Sequence, residues 1–298
     1  MSDAHNPGDR IAGYRIERQI GRGGMAVVYL AEQVTLGRMV ALKLLAPELA
    51  DDGSFRDRFV RESRLAASID HPNIVPIYEA DEAEGILFIA MRYVEGSDLK
   101  AVLQEAGRLD LERALAIHEQ VASALDAAHD RGLVHRDVKP GNVLMAHDPH
   151  RKTDHAYLSD FGLVKRTASG SALTATGQFV GTLDYVAPEQ MRGEAVTGAV
   201  DVYSLGCMLF QSLTGQRPYE RDSDVAVMYA HLSDPPPSIS TIDPTLPAGL
   251  DEVIATAMAK TPEERYPSCT AFITSAREVT GMEELRAAIA RLLAERKR

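Results

Sequence analysis

"LVHRDVKPGNVLM", residues 133–145, sets five polar or charged side chains between two apolar ends, with a proline and a glycine among them. Val134 and residues 143–145 read as short buried strands, which predicts a short loop held at both ends close to a core. A loop anchored in that way keeps chemical groups in fixed positions. The same composition also suits a polar surface turn, so the rest of the chain has to decide between the two.

The chain has 298 residues, 45% hydrophobic and 25% charged, which is enough apolar material for one large or two modest globular domains. A formal net charge of -11 counts against a nucleic-acid partner, for which a basic excess is expected. Cys207 and Cys269 lack metal-ligand spacing and read as reduced thiols. No stretch approaches the roughly 18 uninterrupted apolar residues of a membrane helix, and "MSDAHNPGDR" has no signal-peptide core, so a soluble, cytoplasmic chain is expected. Residues 1–13 read as a disordered tail, and "TASGSALTATG" (167–177) and the prolines at 235–237 as surface loops.

Two unlike parts follow. From residue 14 to about 91 the apolar runs are short and turn-bounded, as in "VVYLAEQ", "MVALKLL", "IVPIYEA" and "ILFIAMRYV", with one helical stretch over 54–69. After Gly96 the spacing turns helical: "LERALAIHEQVASALDAAHDRG" is amphipathic, and "DVYSLGCMLFQSLTG" is apolar enough to be buried nearly all round. Residues 92–96 would connect two lobes, and ligand sites favour such joins.

Several positions then carry chemistry. "IGRGGMAVVYL" puts Gly21, Gly23 and Gly24 in a turn between strands, where backbone N–H groups can approach a phosphate closely. A glycine-rich hairpin without a ligand is an equal reading of that turn alone. A dinucleotide fingerprint would need a helix after it, and a Walker loop a Lys-Ser/Thr pair; neither follows. Lys43 in "MVALKLL" has only apolar neighbours and must either snorkel to water or meet an anion. Ser54 reads as the N-cap of a helix whose inward stripe runs through Phe55, Phe59, Leu65, Ala66 and Ile69. Glu62 falls on that stripe, as a partner for Lys43 or as a marginal, half-exposed carboxylate. Asp160, in "YLSDFGLVK", and Asn142 are oxygen ligands of the kind Mg²⁺ accepts, although an acid beside a glycine is also a turn former.

Taken in order, the glycine turn, "VALK", the helix glutamate, "HRDVKPGN", "DFG" and "APE" (187–189) resemble the protein kinase signature over about residues 14–275. "GRGGMAVVY", "HPNIV", "DVYSLG" and "PEERYP" resemble the bacterial Hanks-type Ser/Thr kinases of the actinobacterial transmembrane group. The resemblance implies an α+β bilobal protein kinase fold, with a mostly-β N-lobe (about 14–91) carrying one regulatory helix, a hinge at 92–96 and a mostly-α C-lobe (97–275).

It also implies roles. Lys43 would hold the α- and β-phosphates of ATP and pair with Glu62, Asp160 would bind Mg²⁺ (or Mn²⁺), and Asn142 the second metal position. Asp137 would orient the substrate hydroxyl and accept its proton, while Lys139 would neutralise charge on the transferred group. Ile20, Gly21, Arg22, Gly23, Gly24, Met25, Ala26, Val27 and Val28 would form the nucleotide-covering hairpin. Val28, Ala41 and Leu144 would sandwich adenine, Met91 would be the gatekeeper, Tyr93 and Val94 the hinge contacts and Asp98 a ribose contact. Asp201 would brace the catalytic loop, Arg265 would pair with Glu189, and Thr182 would tie Asp137 and Lys139 to the substrate site. Phosphorylation of Thr174 and Thr176, read out by Arg136 and Lys165, would order the segment between Gly162 and Ala187.

Partners implied are protein substrates with Ser or Thr acceptors, including a second copy of the chain in trans. Two features depart from the pattern. Ala26 stands where the hairpin's third glycine is usual, and the chain ends in "MEELRAAIARLLAERKR" without a span that relatives often add. The chain then reads either as a soluble kinase or as a piece of a membrane-associated one, with residues 276–298 as a C-terminal helix or a juxtamembrane-type extension. Because Lys43, Asp137 and Asp160 are all present, an active phosphotransferase is favoured over a pseudokinase scaffold or a non-catalytic interaction module.

Overall fold

The structure, a computed structural model, describes residues 5–146, 154–161 and 183–295, with side chains described as far as 282. Its first half is a twisted antiparallel sheet in the order β1-β2-β3-β4-β6-β5. The strands are β1 (Arg10–Ile11), β2 (Tyr14–Arg22), β3 (Ala26–Gln33), β4 (Arg38–Leu45), β5 (Ile77–Ala83) and β6 (Ile86–Arg92). Tyr14, Ile16, Tyr29, Val40, Leu42 and Phe88 bury one face of it as a small separate core. The other face takes the helix pair α1 (Pro47–Ala50) and α2 (Gly53–Ala67), whose Phe55, Phe59 and Ala66 are buried.

Two expectations are corrected in this lobe. The cap of α2 is Asp52, whose carboxylate accepts the Ser54 and Phe55 N–H groups, so the helix begins one residue before Ser54. Asp and Ser are comparable caps, and a carboxylate gains further from the positive end of the helix. The other concerns the expected disordered tail: its described part, residues 5–13, is built onto the sheet. The Ile16 N–H bonds Asp9 O and the Gly8 N–H bonds Ile16 O, both at 2.8 Å, which extends the edge beside β2.

Residues 93–95 lead out of β6 into the second half. There a three-stranded sheet of β7 (Gly96–Asp98), β8 (Val143–Ala146) and β9 (His155–Leu158) carries the cleft floor. Ten helices are numbered along the described chain. Those after α2 are α3 (Leu99–Ala106), α4 (Leu111–His129), α5 (Pro188–Arg192), α6 (Ala199–Thr214), α7 (Asp224–Ser233), α8 (Ile239–Ile242), α9 (Gly249–Ala257) and α10 (Cys269–Glu295). The central α6 is buried at nearly every position from Val200 to Thr214, as its unbroken apolar run requires. Around it pack α4, α9 and α10, joined through buried Leu125, Ile254 and Phe272.

Val134, expected as a short strand, lies in no strand; the short buried strand in that part of the chain is β8, after a 3-10 turn at Pro140–Asn142. The neighbouring backbone amides of His135 and Arg136 bond a side chain, Asp201. The expected division at residue 275 falls inside α10, which runs unbroken across it.

Candidate functional site

The loop 133–142 is fixed from below by Asp201, which the α6 register buries completely at the first turn of that helix. Asp201 accepts the backbone N–H of His135 on Oδ2 and that of Arg136 on Oδ1, each at 2.8 Å. Gln190 of α5 donates to Arg136 O at 3.1 Å. His135 is itself buried, with Nε2 on Ser159 O at 2.9 Å and its ring 4.9 Å from that of Phe161. These ties hold Arg136 at φ 64, a left-handed conformation that a non-glycine residue keeps only when its surroundings fix it.

Asp137 emerges from this frame with its carboxylate polarised by two donors. Lys139 Nζ donates to Oδ2 at 2.9 Å, and Asn142 Nδ2 donates to the same oxygen at 3.1 Å and to Asp137 O at 2.7 Å. Since Nδ2 is spent on Asp137, the Asn142 carboxamide oxygen points the other way, an oxygen donor suited to a hard cation. Ser159 ties the two strand ends together by giving both its N–H and its hydroxyl to Asn142 O. Asp160 follows, at φ 59, a second non-glycine residue in the left-handed region.

Across the cleft, Lys43 on β4 faces Asp160: Nζ lies 2.7 Å from Oδ1. This corrects the expected Lys43–Glu62 pair. Glu62 is buried on α2, 7% exposed, but lies more than 4.0 Å from the Lys43 ammonium, and an ion contact to Arg61 at 3.9 Å is one of its interactions. The ammonium takes the carboxylate that the β9 end presents to it, because a contact at 2.7 Å outweighs a more distant one in a partly desolvated cleft.

Sheet register places the remaining expected residues. Val28 stands opposite Lys43, Lys43 opposite Ile89, and Ala41 opposite Met91, so Ala41 and Lys43 share one face of β4. Ile20, Gly21 and Arg22 end β2, Gly23, Gly24 and Met25 form the turn, and Ala26, Val27 and Val28 begin β3. A β-carbon at Gly21 would meet Val28 at 3.6 Å, an ordinary contact, so packing does not itself demand a glycine there. Asp98 pairs in register with Leu144 and accepts the Ala101 N–H at 2.7 Å, acting as the cap of α3. Tyr93 and Val94 lie between β6 and β7, half-buried. Behind Lys43 a small cavity is lined by Val75, Ile77, Ile89, Met91, Leu158 and Phe161.

Glu189 and Arg265 meet as expected, in a buried two-pronged pair at 2.6 and 2.8 Å. Lys165, Thr174, Thr176 and Thr182 lie outside the described residues. Three supports were not foreseen: Ser159, Gln190 and His129, whose Nε2 lies 2.7 Å from Asp201 Oδ2. Their contacts span 17, 54 and 72 residues, which no local pattern encodes.

The family model described as "Protein kinase domain" matches residues 14–279. Serine/threonine-protein kinase PknJ of Mycobacterium tuberculosis is 45% identical over 278 residues, covering 93% of this chain and 47% of that protein. Serine/threonine-protein kinase PknD of the same organism is 46% identical over 270 residues, covering 90% and 40%. The crystal structure of the M. tuberculosis PknI kinase domain superposes with a TM-score of 0.75 at 34% identity, covering 93% of this chain and 100% of that one. The chain spans about half the length of the curated relatives it matches.

Proposed function

Given that the chain belongs to the protein kinase family, as a Ser/Thr kinase domain over residues 14–279, we propose that it transfers the γ-phosphate of ATP to Ser and Thr hydroxyls of proteins, including a second copy of itself. The observation that carries this reading is the Asp137 carboxylate, held by Lys139 and Asn142 on a braced loop facing Lys43 and Asp160. In that role Asp137 orients the acceptor hydroxyl and takes its proton, while Lys139 offsets charge on the group in transfer. Little covalent work is left, since positioning and electrostatics supply most of the rate.

Asn142 and Asp160 are the residues that would hold Mg²⁺ or Mn²⁺. The fit is chemical: both offer hard oxygen donors, and the Lys43 contact engages only one oxygen of Asp160. The metal, when bound, shields the phosphate charges. Lys43 would then exchange Asp160 for the α- and β-phosphates. Val28, Ala41, Met91, Tyr93, Val94 and Leu144 would enclose adenine.

Transfer of labelled γ-phosphate to a general protein acceptor, with Mg²⁺ or Mn²⁺, tests the activity; no transfer under either metal would reject it. Phosphoamino-acid analysis should give phosphoserine and phosphothreonine, with phosphotyrosine as the contrary result. Thr174 and Thr176 are proposed as the activating sites, and the double variant T174A/T176A should lose the gain in specific activity that follows autophosphorylation. Unchanged specific activity would remove that switch.

A further inference from the structure

Asp201 is fully buried, and its two oxygens take three hydrogen bonds. Two come from the backbone amides of His135 and Arg136, the residues directly before Asp137. The third comes from His129, the last residue of α4, through Nε2 at 2.7 Å. The other ring nitrogen, Nδ1, faces Asp126 Oδ1 at 3.8 Å. Asp126 in turn accepts the N–H groups of Cys269 and Thr270, both at 2.9 Å, at the start of α10. The imidazole is thus set between one carboxylate that braces the catalytic loop and another that caps the terminal helix. Gly198 closes over it: a β-carbon there would come within 2.7 Å of Nδ1.

We propose that His129 is a positioning residue whose imidazolium form bridges Asp126 and Asp201, and that this charge holds the residues before Asp137 in place for phosphotransfer. The proposal rests on the kinase reading above for its rate effect, but not for the bridge itself.

The two protonation states differ in what they offer. A neutral imidazole that donates through Nε2 turns a lone pair on Nδ1 toward the Asp126 oxygen, whereas the cation presents an N–H to each side. A charge-assisted hydrogen bond is about twice as strong as a neutral one, so Asp201 is held more firmly by the cation. The charged and titratable neighbours are Asp126 from α4, Asp130 directly after it, Asp201 from α6, Cys269 from α10, and His135 and Arg136 from the loop. Burial alone would lower the His129 value; the hydrogen bond to Asp201 and the charges of Asp201, Asp126 and Asp130 outweigh it and raise it. Burial pushes the Cys269 thiol well up, which keeps it neutral beside the bridge. With the folded value raised, the contribution is complete below the unfolded value of about 6.5 and is lost as pH rises through the folded one.

The test compares the wild type with His129→Gln, whose amide can keep the bond to Asp201 but never carries charge. The kcat and KM for ATP are followed from acid to alkaline pH, and the His129 ring is titrated by NMR. In the wild type kcat should fall about threefold to tenfold at the pH where His129 titrates, with KM for ATP unchanged. His129→Gln should lie on the lower plateau and lack that limb. A limb retained in His129→Gln, or a His129 that titrates at or below the ordinary value, overturns the proposal. Asp126→Asn is the second variant, and should move both the ring titration and the limb to lower pH; no movement of either counts against the bridge.

If neither protein transfers phosphate, the kinase reading fails and amide exchange decides the bridge. Protection of the His135 and Arg136 N–H groups, corrected for intrinsic rates, should then drop through the His129 titration in the wild type only. Equal behaviour in His129→Gln rejects it.

Discussion

Asp137 and its neighbours on the helical side are held by backbone bonds to Asp201, Gln190 and Ser159, and the lobe beneath them is pinned by Arg265 and Glu189, 0% and 2% exposed at their side chains. On the sheet side, Lys43 reaches across through a single contact to Asp160, with side chains 15% and 36% exposed. Both regions use opposite charges, but the Arg265 guanidinium is satisfied on every arm, with further bonds to Ala259 O and Ala199 O. One pair is therefore a fixed strut. The other is a contact that a phosphate can replace at small cost, which is what a site that must admit and release a nucleotide requires.

Asp137→Asn probes the fixed side with the largest expected effect. The amide keeps the volume and the donors around it but cannot take a proton, so phosphotransfer should fall by about 10² to 10⁴ while nucleotide affinity holds. Steady-state kinetics with a nucleotide-binding titration checks this. Near-normal turnover would move the proton acceptor elsewhere.

The two ion pairs should separate in stability. Arg265→Met leaves Glu189 buried and unpaired, and removal of one partner of such a pair costs about 3–5 kcal/mol. Lys43→Met removes a single contact whose carboxylate side is 36% exposed, for which about 0–1 kcal/mol is expected. Denaturant titration of both variants tests the comparison, and R265M/E189L should recover most of the first loss. Equal losses for Arg265→Met and Lys43→Met would dissolve the distinction between strut and exchangeable contact.

The legible part of this molecule is local. "HRDVKPGN" and "DFG" place their side chains through bonds that span a few residues, such as Asn142 to Asp137, so the spacing already holds the geometry. The long α6 was legible from an apolar run that only a buried helix accommodates. What sequence does not carry is the choice among distant partners. Lys43 meets Asp160, 117 residues away, rather than Glu62, and both were equally acidic and equally placed beside an apolar run. His129 read as one more residue at the end of an amphipathic helix, since its partner Asp201 arrives 72 residues later.

Acid pH should loosen the helical side before the sheet side. Burial pushes His118 down to about 4, and burial with repulsion from Lys260 pushes His231 down to about 3. Both are neutral in the fold, whereas in the unfolded chain they take a proton near 6.5. Stability is therefore whole above about pH 7 and declines as pH falls from 6.5 toward 4, by up to about 1.4 kcal/mol per pH unit for each ring. His129 acts in the opposite sense, since its value is raised and its contribution survives in acid. His231→Asn should flatten the acid slope of the melting temperature; an unchanged slope would show that another group carries it.

The smallest effect is expected at the start of α2, the helix that carries Glu62 on the exchangeable side. Asp52 caps it through the Ser54 and Phe55 amides, while the Ser54 hydroxyl is a long acceptor for Arg58 at 3.4 Å. Asp52→Ala should therefore quicken hydrogen exchange at those two amides and leave the α6 core unchanged, because an end turn opens without the rest of the molecule. Ser54→Ala should leave exchange there as it is, since its backbone N–H, not its side chain, closes the cap. An exchange increase confined to Ser54→Ala would return the cap to Ser54. An increase that spread from Asp52→Ala into the catalytic loop would mean that the two sides of the cleft are coupled more tightly than one contact between Lys43 and Asp160 allows.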